Sequence, residues 1–148
     1  MRQILSGQWF ECKTMYNKPN ENGIMKQARE LGLVAACSFS EAEQKLLDSM
    51  EADMMEDPRV SAMTIAPYED SVIEIKEEDD DSTFYKVKVE YEETDENEKT
   101  RISIFYYLAQ CNSTTSAADI IRKEFVEKSA CDGRIVSITE KKFDRVIL

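Results

Sequence analysis

The sequence predicts an α+β fold made of two ββαβ units in tandem, each an antiparallel sheet with one helix on its core side, related by a pseudo-twofold axis. Three observations lead there. The chain matches itself at an offset of 75 residues without a gap, the pattern by which internal repeats are recognised. Each half carries two runs of alternating, aromatic-rich residues ahead of a stretch with helical periodicity. At 148 residues the chain has the size that builds one hydrophobic core. Both units are therefore expected in a single compact domain, residues 1–148, with repeats at about 1–75 and 82–148 and an acidic linker at 76–81.

The repeat is carried by particular residues. Trp9-Phe10-Glu11-Cys12-Lys13 through Tyr16 returns as Phe84-Tyr85-Lys86-Val87-Lys88 through Tyr91. Leu33, Ser38, Ala42, Arg59 and Thr64 fall on Leu108, Ser113, Ala117, Arg134 and Thr139, while Met50, Val60, Met63 and Tyr68 fall on Phe125, Ile135, Ile138 and Phe143. Identity is thin, but the pattern agreement is long.

Taken in order, Gln8 to Tyr16 reads as a strand and Asn17 to Gly23, rich in turn formers, as a hairpin loop. A second apolar run, Lys26 to Cys37, returns toward Ser38-Phe39-Ser40-Glu41-Ala42-Glu43. Ser40 with Glu43 has the spacing of a capping box, so a helix is expected over about 40–53, with Ala42, Leu46, Leu47 and Met50 toward the core. Pro58 closes the acidic stretch that follows, Arg59 to Ile65 reads as a third strand, and Tyr68 to Ile75 as a short extended segment. The second half repeats the order: strand 83–91, acidic hairpin tip 92–99, and strand 100–111, whose Ile102-Ser103-Ile104-Phe105-Tyr106-Tyr107-Leu108 is the strongest β signal in the chain. Ser113-Thr114-Thr115 caps a helix over 115–128 with Ala117, Ile120, Ile121 and Phe125 inward. Gly133 leads into strand 134–140, and Arg145 to Leu148 completes the unit.

Composition narrows the function classes. There is no histidine, which removes Ser-His-Asp and Cys-His nucleophile activation and the usual zinc sites. Four glycines spread over the chain supply no phosphate-cradling loop. Cys12, Cys37, Cys111 and Cys131 show no C-x-x-C spacing and do not coincide between the halves, so reduced, mostly buried thiols are expected. Cys37 and Cys111 precede the helices, where a helix N-terminus lowers a thiol pKa, but no base lies near either in sequence. The net charge of −11 is uneven: 74–81, 90–98 and 51–57 carry −5, −6 and −4, leaving +4 elsewhere. Five adjacent acids at 77–81, with no glycine among them, suit a self-repelling solvated linker better than a calcium loop. Neither end shows a leader or a long apolar run, so a cytoplasmic protein away from membranes is expected.

One constellation survives the repeat. On the strand face opposite the all-apolar set Tyr85, Val87, Val89 and Tyr91, an aromatic and a lysine stand four residues apart in both halves: Trp9 with Lys13, and Phe84 with Lys88. With Lys86 and Arg101 these residues form the candidate binding surface. The expected activity is non-catalytic binding of a protein partner. Single-stranded nucleic acid is the alternative, a ring stacking a base while an ammonium meets a phosphate. A third reading is a DNA-mimicking inhibitor using the acidic clusters. No catalytic residue, metal or cofactor is expected, and oligomerisation stays open. Phe105-Tyr106-Tyr107 requires either cover on both faces of its strand or rings exposed to a partner.

Trp9-Phe10-Glu11-Cys12-Lys13, the turn at Glu21-Asn22-Gly23, Ser38-Phe39-Ser40-Glu41-Ala42-Glu43 and Tyr85-Lys86-Val87-Lys88 resemble the family catalogued as domain of unknown function 4494, found chiefly in Bacteroides, its relatives and their phages and mobile elements. The resemblance covers most of the chain and implies a compact protein of phage or mobile-element type, with no established activity to carry over. This chain has Phe84 where a second tryptophan is typical.

Overall fold

The computed structural model describes residues 2–6, 8–74 and 82–148, with side chains for 8–68 and 82–148. The acidic linker 76–81 lies outside the described residues. In chain order the elements are β1 (Arg2–Ser6), β2 (Trp9–Pro19), β3 (Met25–Ala35), α1 (Phe39–Ala52), β4 (Glu56–Ile65), β5 (Tyr68–Glu74), β6 (Thr83–Thr94), β7 (Thr100–Cys111), α2 (Thr114–Ile121) with a π-helical turn Arg122–Val126, β8 (Asp132–Lys141) and β9 (Arg145–Ile147). The fold is α+β, as the sequence predicts.

The chain divides into two compact units. The α1 unit, Gly7–Ala66 with Phe143–Leu148, contains a sheet in the order β4-β2-β3-β9. The α2 unit, Met1–Ser6 with Pro67–Lys142, contains a sheet in the order β1-β5-β7-β6-β8. These units do not coincide with the halves read from sequence. β5 follows β4 directly yet pairs with β7, and β9 follows β8 yet pairs with β3, both in parallel. The sheets are therefore mixed, where antiparallel sheets were expected. The reason lies in the chemistry of pairing: strand partners are joined by backbone groups that every residue carries, so the partner of a terminal strand leaves little local signature. β1, antiparallel to β5, has no counterpart in the sequence reading.

Within the units the pairing registers agree at the offset of 75 over most of their length, diverging only where β2 meets the start of β4, between Met15 and Asn17. Trp9 faces Ala35 and Phe84 faces Gln110. The β2–β4 and β6–β8 ladders both slip at the same place, between Lys13 and Thr14 and between Lys88 and Val89. The parallel joins match as well, with Gly32 against Arg145 and Tyr107 against Asp70.

α1 is capped by Ser38, not by the expected Ser40. Ser38 is extended (φ −155°, ψ 164°) and its Oγ accepts from Glu41 N at 3.1 Å, while the Glu41 carboxylate accepts from Cys37 N at 2.8 Å. That hydrogen bond holds the Glu41 carboxyl below its usual pKa. Ser38 and Glu41 have the same spacing as Ser40 and Glu43, so local chemistry permits either start. The earlier start lays the Phe39 ring edge-on against Phe10, centroids 5.0 Å apart. α2 is capped in the same way by Ser113, whose Oγ accepts from Ser116 N at 3.1 Å.

Ala42, Leu46 and Met50 of α1 are buried and Leu47 is half-buried. Phe10, Cys12 and Val34 of the sheet lie in one cluster with Ala42 and Leu46. In the other unit Ala117, Ile120 and Ile121 meet Tyr85, Val87, Val89 and Tyr91, the face that alternation marks as core. Pro58 sits inside β4, an edge strand, the position in a sheet that tolerates a missing N–H.

The methionines at the end of α1 are placed unlike one another. Met50 is buried, whereas Met54 is 90% exposed with φ 58°. Met54 N reaches Glu51 O at 2.9 Å and Met55 N reaches Met50 O at 3.1 Å, the two bonds of a Schellman ending that favours glycine at the left-handed position. Glu98 is comparably placed: its φ is 61°, where the other hairpin has Gly23 at 78°. Met54→Gly and Glu98→Gly should each raise stability by about 0.5–1 kcal/mol by relieving the left-handed backbone, read as a higher urea midpoint at unchanged slope. A lower midpoint would refute this.

Candidate functional site

In the α2 unit the inner face of the sheet opens into a pocket of about 420 Å³. Alternation along β6 continues the core face beyond Tyr91 to Glu93, and along β7 it sets Ser103, Phe105 and Tyr107 on the same side. The opposite wall comes from Glu124 and Phe125 of the π turn, with Lys128, Ser129 and Cys131 after it. Tyr107 stacks on Phe125, centroids 4.2 Å apart and planes 18° apart, and Tyr91 meets Phe105 edge-on at 5.4 Å. The Tyr91 and Tyr107 hydroxyls are 3.0 Å apart.

Two local features shape this wall. The π turn closes with Glu127 N on Arg122 O at 2.8 Å, the widened helical turn that recurs at functional sites. Gly133 faces Tyr91 across the β6–β8 ladder, and a Cβ built there would lie 2.7 Å from the Tyr91 ring. The ring therefore packs directly on the glycine backbone. Lys128 Nζ rests 3.4 Å from the Glu124 carboxylate, leaving an amphipathic rim over an aromatic floor.

The residues expected to bind are placed differently. Trp9 is 2% and Phe84 7% exposed, so neither ring is available to stack a ligand. Trp9 Nε1 is buried with no hydrogen-bond partner among the described residues. Lys13 is exposed and faces Leu31 across the ladder. Lys86 and Lys88 are half-buried on the face of β6 away from α2, Lys88 directly opposite Tyr106 and Lys86 Nζ 4.6 Å from the centre of the Tyr106 ring. Phe105-Tyr106-Tyr107 thus has contacts on both sides of its strand. Arg101 lies on the pocket side, opposite Glu93, and does not join the lysines. The expected surface is split because alternation assigns residues to two faces but does not show whether the outer face is covered.

The pocket escaped the sequence reading, although a signal for it was present. Tyr91 and Tyr107 put two hydroxyls close together on the core face, and the repeat breaks where Glu30 and Gly32 become Phe105 and Tyr107.

The thiols also depart from the expectation of general burial. None of the four forms a disulfide; Cys12 and Cys111 are buried, Cys131 is half-buried and Cys37 is exposed. Burial, reinforced by the Glu11 carboxylate, pushes the Cys12 thiol up to about 11, leaving little nucleophilic thiolate near neutral pH. Iodoacetamide at neutral pH should label Cys37 first and Cys131 more slowly, with Cys12 and Cys111 reacting only after denaturation; labelling of native Cys12 at the Cys37 rate would contradict this assignment.

Among the described residues no three His, Cys, Asp or Glu side chains gather as a metal site, and no helix is long and apolar enough to cross a membrane. These features define an α+β protein of two sheet-and-helix units, with an aromatic pocket in the second. The chain belongs to the family described as Domain of unknown function (DUF4494), whose model matches residues 8–147. No curated protein and no solved structure matches it significantly.

Proposed function

We propose that the protein is a non-catalytic binding protein acting through a protein partner, with the pocket of the α2 unit as its recognition surface. The observation that carries this reading is the aromatic floor formed by Tyr91, Phe105, Tyr107 and Phe125 in a concavity of about 420 Å³. Aromatic anchors and the pockets that receive them dominate the energetics of protein interfaces. Charged groups at the rim, Glu93 and Lys128, add orientation. The two halves are read as copies of one ancestral unit, a reading supported by the largely matching registers, and cysteines without disulfides suit a reducing compartment. With Trp9 and Phe84 buried, the nucleic-acid alternative lacks the rings it was built on.

The test is affinity capture with the immobilised protein, comparing the wild type with Phe125→Ala, which removes part of the floor, and Glu93→Arg at the exposed rim. A partner retained by the wild type and lost from both folded variants supports the proposal. Equal capture by all three would sink it.

A further inference from the structure

The α1 unit has a filled counterpart of this pocket. Arg145, at the start of β9, pairs with Gly32, and its side chain is only 13% exposed. Its Nη1 donates to Ser49 Oγ at 2.7 Å and to the Asp53 carboxylate, and its Nη2 to Glu30 at 3.4 Å. Moving these three partners along by 75 residues gives Phe105, Glu124 and Lys128, each of them a wall of the pocket. Gly32 becomes Tyr107, and the register position of Arg145 is taken by Asp70. The place that one unit occupies with its own arginine is, in the other, open and lined by aromatic rings.

Taking the pocket as the recognition surface, we propose that it receives the guanidinium of an arginine presented by a basic segment of the partner. Three features favour that occupant. A guanidinium is planar and weakly hydrated, so it lies against aromatic rings where a more strongly hydrated ammonium is costlier to strip of water. Glu93 and Glu124 offer carboxylates at the rim and wall, and a charge-assisted pair with arginine is stronger than a neutral hydrogen bond. The hairpin tip 92–98 holds five acids, Glu93 among them, in a chain of net charge −11, a field that draws in a basic segment. Two cations accompany these carboxylates, Lys128 beside Glu124 and Arg101 across from Glu93. Lys128 is spent on Glu124, and Arg101 faces Glu93 across the strands, so the incoming guanidinium shares acids already held in place.

The test titrates the full chain with short capped peptides and follows the backbone amide resonances of β6, β7 and the π turn. The probes are acetyl-Gly-Arg-Gly-amide, its citrulline analogue of the same shape without charge, its lysine analogue and its leucine analogue. The arginine peptide should bind at least about tenfold more tightly than the citrulline and leucine peptides and more tightly than the lysine peptide, with affinity falling as salt is raised. Glu93→Gln combined with Glu124→Gln should remove most of that preference, and Glu93→Gln alone, at an exposed position, should remove part of it. Equal binding of arginine and citrulline peptides, or no binding of any probe, overturns the inference. Tighter binding of the leucine peptide also overturns it while leaving the partner reading intact, because capture by the pocket is measured separately.

Discussion

Arg145→Ala should lower stability by about 3 kcal/mol, the largest loss expected from a single polar substitution in the α1 unit. The guanidinium joins β9 to both β3 and α1, through Glu30 on one side and Ser49 and Asp53 on the other. Burial alone would pull its pKa down, but the hydrogen bond to Asp53 and the charges of Glu30 and Asp53 raise it above the usual value, so the group stays charged. Its own net contribution is modest, because Nε is buried without a hydrogen-bond partner among the described residues. The cost of removing it comes from what remains. Glu30, 10% exposed, would keep a carboxylate away from water with its counter-charge gone, whereas Asp53 is exposed and would be resolvated. Arg145→Leu combined with Glu30→Leu should therefore recover much of the loss, since replacing both members of a buried pair is often near neutral. Urea unfolding measures both. Amide exchange at Val146 and Ile147 should quicken in the single variant, because β9 is a three-residue strand with one neighbour. A loss below about 1 kcal/mol in Arg145→Ala would show that the network contributes little.

Gly133→Ala should destabilise the α2 unit by about 2 kcal/mol, as overpacking of a filled core does. A methyl group there would lie 2.7 and 2.8 Å from two carbons of the Tyr91 ring and 3.2 Å from Val126. The ring can yield only by giving up the hydroxyl contact with Tyr107 and the edge contact with Phe105. Any retreat opens the pocket floor, so the same variant should lose affinity for the arginine peptide. Gly32→Ala is the control. Its methyl would meet only the flexible end of Leu46, at 3.0 Å, and more distant backbone at 3.6 Å, so its cost should be the smaller of the two. Stabilities in the reverse order would overturn this account of Gly133.

The two substitutions fall on either side of what the sequence displays. Tyr85, Val87, Val89 and Tyr91 announce a core face by simple alternation, and Ala42, Leu46 and Met50 announce a helix stripe; the structure buries them all. Trp9 and Phe84 obey the same alternation on the outer side, yet they too are buried. Burial of a second face is set by what packs on it, and no period-two pattern encodes that. Ser38 against Ser40 is a similar case: two serines with equal local credentials were separated by the distant ring of Phe10. Of the candidate site, Phe125 was legible as a buried helix residue and Phe105 as part of a strand. That they meet with Tyr91 and Tyr107 around a cavity depends on a cross-strand register and a widened helical turn.

By itself the sequence determined the α+β class, the order of the principal elements, the core face of each half and the 75-residue correspondence, because periodicity and capping chemistry are local and act on nearest neighbours along the chain. Only the tertiary structure decided that β5 and β9 join their sheets in parallel, that Trp9 and Phe84 are withdrawn from solvent, and that one unit contains an arginine where the other has an open aromatic pocket. Those outcomes rest on contacts between residues far apart in sequence, such as Arg145 with Ser49 and Gly133 with Tyr91. Their energies depend on burial and close approach, which exist only once the chain has folded.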